Sequence, residues 1–136
     1  MNEHDTMVIR RLTCSYRRQI DWYDTLCGVV EKILGRLILS RGDFSGVKVC
    51  FDEKKRLLDL IEQERSETIR EVETWRIRKG ALLGEPEACD FDQVLRHTEE
   101  AIGRFLETEG QLKRCIEQRM LESSPGPVGR YPEKIL

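Results

Sequence analysis

The sequence predicts an all-α protein: an elongated antiparallel helical hairpin whose third helix completes a coiled-coil-like three-helix bundle. Three observations lead there. Apolar residues recur in steps of three and four through three long stretches, charged residues make up 35% of the chain against 39% hydrophobic, and only four prolines occur in 136 residues. A chain of this length suits one core, so residues 1–122 read as a single helical domain.

The first helix is expected over about 6–40. Tyr16, Ile20, Tyr23, Cys27, Val30, Leu34 and Leu37 make a seam, and Leu12, Leu26 and Ile33 widen it enough to touch two partner helices. At about 1.5 Å per residue it runs roughly 50 Å, so the molecule should be elongated. The stretch Ser40 to Gly46 carries two glycines and predicts a tight reversal, with Asp43 or Ser45 as a cap for the next helix.

The second helix is expected over about 44–79. Val47, Phe51, Leu58, Ile61, Val72 and Trp75 form its inner face, with Leu57 and Ile69 beside them. Lys54, Arg65 and Thr68 fall on seam positions, so this stretch should pack on one side only, its charged heads reaching water along aliphatic stems. Asp52 with Arg56, Glu67 with Arg70 and Glu73 with Arg76 are spaced to pair on its exposed face. Gly80 to Cys89 contains two glycines and Pro86 and reads as a loop.

The third helix is expected over about 90–122, opened by Asp90 and Gln93 as a capping box. Its seam runs through Phe91, Leu95, Thr98, Ile102, Phe105, Leu112 and Ile116, but Gly103, Gly110 and Glu109 make its second half marginal without a partner. The segment 123–136, rich in proline and glycine, reads as a disordered tail.

Composition excludes several functions. The net charge of -2, with 23 basic and 25 acidic residues spread along the chain, gives no field for nucleic acid or an anionic membrane. The acidic N-terminal residues and the lack of a roughly 20-residue apolar run argue for a cytoplasmic protein with no membrane insertion. Five scattered cysteines without a CxxC pair read as free thiols. His4 and His97 have no histidine partner at metal-ligand spacing, and Gly42 and Gly46 lack the lysine of a phosphate loop, so no catalytic, metal or cofactor residues are expected. Arg41-Gly42-Asp43 is explained by the reversal, and Trp22, Trp75, Tyr16 and Tyr23 by packing.

What remains is apolar width. Leu106 and Met120 on one side of the third-helix seam, and Val94, Ala101 and Cys115 on the other, exceed what a hairpin can cover. A helix from another protein or from a second copy of this chain should lie there.

The order of features now becomes informative: Leu34-Gly-Arg-Leu-Ile-Leu, then Ser40-Arg-Gly-Asp43, then Glu53-Lys-Lys-Arg-Leu-Leu-Asp-Leu-Ile-Glu-Gln-Glu-Arg65. Over Tyr16 to Trp75 this resembles the FlgN family of flagellar export chaperones. The resemblance implies a cytoplasmic helical chaperone that binds the C-terminal helical region of hook-associated proteins, prevents their premature assembly and delivers them to the type III export apparatus. It also implies a client site on Phe105, Leu106, Leu112, Ile116 and Met120. The alternative reading is a structural coiled-coil protein acting through homo-oligomerisation.

Overall fold

A computed structural model describes residues 1–40 and 44–123. Every regular element among them is helical: α1 (Glu3–Leu39), a 3-10 turn (Ser45–Val47), α2 (Lys48–Glu67), α3 (Ile69–Leu82) and α4 (Pro86–Ser123). The all-α class agrees with the periodicity. Asp43 and the segment 124–136, expected as a cap and a disordered tail, lie outside the described residues.

Three boundaries differ from expectation, each for a local reason. α1 begins earlier, because Asn2 caps it: its side-chain oxygen accepts the Asp5 amide at 2.7 Å, and Glu3 and Asp5 suit the positive end of the helix dipole. The predicted second helix is broken at Thr68. There the backbone turns out of helical geometry (φ -105, ψ 8), while the Thr68 hydroxyl donates to the carbonyl of Glu64 at 3.1 Å. Such a bond can bend a helix, but Thr98 makes the same one inside unbroken α4, so it accompanies the break without being sufficient for it.

The third correction concerns Pro86, which opens α4 instead of interrupting it. A proline at the first helical position loses no hydrogen bond, and the Glu85 carbonyl accepts the Cys89 amide at 3.0 Å. The connection shrinks to residues 83–85, and Asp90 lies inside α4 with no capping role.

Cross-helix contacts set the directions. Arg10 with Glu87, Tyr16 with Phe91 and Asp24 with Arg104 ascend both helices together, so α4 runs parallel to α1. Ser15 meets Glu64 while Arg36 meets Cys50, so α2 runs antiparallel. α1 is the common spine, packed most extensively on α4, then on α2, then on α3.

That role shifts its buried stripe. Leu12, Leu26 and Ile33, expected on the flank, are wholly enclosed with Val30 and Leu37, whereas the expected seam residues Tyr16, Ile20, Cys27 and Leu34 are only half-buried. A helix covered from two sides points the middle of its stripe between its neighbours, so the flank becomes the centre.

The interior falls into two clusters. Leu26, Val30, Ile33 and Leu37 of α1 pack with Leu57 and Ile61 of α2 and with Leu112 and Ile116 of α4. Val8, Ile9 and Leu12 pack with Trp75 and Leu82 of α3 and with Phe91 of α4. Between the clusters lies a polar level of buried Ser15, Gln19, Thr68 and Thr98. The Ser15 hydroxyl donates to Glu64 at 2.8 Å, the Gln19 amide to Ser15 at 3.3 Å and the Thr98 hydroxyl to the Val94 carbonyl at 2.8 Å. The break at Thr68 sits at this level.

Lys54 corrects another expectation. Its ammonium does not reach water: the residue is 2% exposed and forms an ion pair with Glu109 of α4, whose second carboxylate oxygen is buried with no donor among the described residues. Of the expected surface pairs Glu73–Arg76 forms at 3.3 Å, while Asp52 pairs with Lys48 and Arg56 with Glu53.

A candidate helix-binding cleft

Three of the five expected client residues are not surface. Phe105, Leu112 and Ile116 belong to the larger cluster, Leu112 and Ile116 with no exposure at all. They face α1, whose parallel packing on α4 uses the apolar width that seemed left over. Met120 is half-buried against the same cluster, and only Leu106, at 60% exposure, is open.

The open apolar surface lies elsewhere. α2–α3 and α4 both flank α1 but touch each other little. They are bridged at one end by Lys54–Glu109 and at the other by Trp75 against Phe91 (ring centroids 4.8 Å) and Lys79–Asp92 at 3.9 Å. Between the bridges is a cleft of about 510 Å³ with Tyr16 and Tyr23 of α1 as its floor and Leu58, Ile61, Ile69 and Val72 on the α2–α3 wall.

Spacing places the facing wall. Leu95, Ile102 and Leu106 fall in steps of three, four or seven from Phe91 and Glu109, the α4 residues that meet α2–α3, so they share that flank. Packing on this flank is partial: Leu95 and Ile102 are half-buried against the clusters, leaving Leu106 and Ile69, 66% exposed, as the apolar lips.

The floor is polar at its edge. Burial pushes the Tyr16 phenol above its ordinary pKa, opposed by the positive charge of Arg65 on the cleft wall. Tyr16 stacks edge-on against Phe91 at 5.7 Å, and Tyr23 lies 6.0 Å from Phe105. Arg65 and Glu62 line the cleft, and neither side chain forms an ion pair among the described residues.

A second groove of about 460 Å³, on the outer side of α1 and α4, is lined by charged side chains. Its Arg10 and Arg18 are held by Glu87 at 2.8 Å and Glu64 at 2.9 Å.

His4 and His97 are exposed, and among the described residues no three His, Cys, Asp or Glu side chains converge as metal ligands. All five cysteines are free thiols, but only Cys50 is buried. No helix among the described residues is long and apolar enough to cross a membrane.

Ile69 was visible in the sequence as a neighbour of the inner face, but its role as a lip depends on the break at Thr68, which no apolar period reveals. Comparison of the chain with family models, with curated proteins and with solved structures returns no match.

Proposed function

We propose that α1, α2–α3 and α4 form a three-helix bundle left open along its α2–α3 and α4 edge, and that the chain works as a cytoplasmic secretion chaperone or adaptor. In this reading the opening accepts an amphipathic helix of a client, as in the FlgN-like export chaperones that the sequence resembles, and holds it from premature assembly.

One observation carries the reading: a cleft of about 510 Å³ floored by Tyr16 and Tyr23, walled by Leu58, Ile61 and Val72 and rimmed by exposed Ile69, with exposed Leu106 placed by its spacing on the α4 flank opposite. The wall from Leu58 to Val72 covers about 21 Å, four turns of a fourth helix. Helix-in-groove recognition uses such a stripe of anchors.

The test uses surface residues only. Ile69→Asp with Leu106→Asp should abolish a one-to-one complex with a helical protein purified alongside the native chain, with unchanged circular dichroism and melting temperature. Retention of the complex by this variant, or a tight dimer in sedimentation with no helical partner, would refute the reading.

A further inference from the structure

The polar groups of the cleft indicate which helix it accepts, on the premise that it accepts one. From the charge left open in its wall, we infer that the occupant carries a carboxylate inside its apolar stripe, seated against the Arg65 guanidinium beside the Tyr16 hydroxyl.

The argument begins with pairing. On α2, Arg56 holds Glu53 at 2.7 Å, whereas Arg65 has no ion-pair partner among the described residues. Arg65 stands in the wall of an apolar cleft, near enough to Tyr16 for its charge to bear on the phenol. An arginine in a groove that a partner closes is desolvated on binding, and among the side chains of a helix a carboxylate offsets that cost best, because the planar guanidinium binds it in a bidentate manner.

Glu62 extends the pattern. It lies three residues before Arg65 on the same wall, within reach for an intrahelical pair, yet the two do not pair. One anion and one cation a helical turn apart are met by a cation and an anion a turn apart on the incoming helix. The charge order therefore also fixes its direction, since the reversed helix would set like charges together.

Fluorescence anisotropy with two synthetic 16-residue helical peptides tests this. The peptides share one leucine stripe and differ at the central stripe position, Glu in one and Lys in the other. The Glu peptide should bind the intact chain at least about tenfold more tightly than the Lys peptide. Arg65→Glu should invert that preference, and Tyr16→Phe should weaken the Glu peptide a few-fold.

Equal binding of both peptides, lost on Ile69→Asp and indifferent to Arg65→Glu, would overturn the carboxylate anchor and leave helix capture standing. Binding of neither peptide would overturn both. A dimer in sedimentation that dissociates on Arg65→Glu would make the occupant a second copy and overturn the inference.

Discussion

Toward the reversal between α1 and α2, thirteen buried residues form one mostly aliphatic cluster, in which Leu26, Val30, Ile33, Leu37, Leu112 and Ile116 are wholly enclosed. Where α3 packs there are seven, and the contact is aromatic, Trp75 and Tyr16 both meeting Phe91 edge-on. Around the smaller cluster run ion pairs: Asp5–Arg78 at 2.8 Å, Arg10–Glu87 at 2.8 Å, Arg11–Glu71 at 3.3 Å and the N-terminal ammonium with Glu85 at 3.6 Å. Arg10–Glu87, exposed on both sides, contributes little, whereas Asp5 is 2% exposed and its pair with Arg78 ties α3 to α1. Local stability follows buried apolar contact, and α3, with only Trp75 and Leu82 buried, should be the first helix to open. Because α3 carries Ile69 and Val72 of the cleft, that looseness falls where a client would be admitted.

The difference predicts unequal outcomes for equally severe lesions. Ile116→Asp places a charge in the aliphatic cluster with no partner, a change that costs more than about 4 kcal/mol and exceeds much of the stability of a domain this size. Helical circular dichroism should collapse at 25 °C, α1 and α2 included. A variant that kept α1 and α2 folded would show that α4 contributes little to that core.

Phe91→Ala comes next, at about 3–4 kcal/mol, because it removes the ring on which Trp75 and Tyr16 pack. Its damage should be local: amide exchange in α3 should accelerate by orders of magnitude while α2 stays protected. Equal acceleration in α2 and α3 would mean that the two clusters unfold as one and that the polar level at Thr68 separates nothing.

Periodicity alone fixed the helical class, the approximate span of α1 and the reversal, because a stripe in steps of three and four has one backbone solution. Where helices face is a tertiary matter. The stripe of α1 moved onto Leu12, Leu26 and Ile33 because two helices cover it, and the width on α4 assigned to a client at Phe105, Leu112 and Ile116 is consumed by parallel packing on α1. No spacing within α4 distinguishes a helix of the same chain from one of another. The break at Thr68 was hidden because threonine is tolerated in helices, and Lys54 misled because its Glu109 partner is distant in sequence. Ser15 and Gln19 lie on the buried stripe of α1, and polar residues on that stripe are the sign of a dividing level that the sequence carries.

That level supplies the mildest prediction. Burial raises the Glu64 carboxyl, but hydrogen bonds from Arg18 and Ser15, with the charges of Arg18 and Arg11, outweigh it and hold the group below the usual carboxylate range. An unfolded glutamate titrates near pH ~4.3, so the stabilisation Glu64 provides is complete above that value and vanishes as pH falls through the lower folded value. Glu64→Gln keeps an acceptor for Ser15 and loses the charge toward Arg18, so near neutral pH it should cost only about 1 kcal/mol. Thermal melts of the two proteins should differ at pH 7 and draw together as the pH falls below the unfolded glutamate's value and through the lower folded one. Asp5, Glu53 and Glu87, also held low by their arginines, titrate in both proteins, so the difference isolates Glu64. A gap that did not narrow on acidification would mean that shape, not charge, sets what Glu64 does between the two clusters.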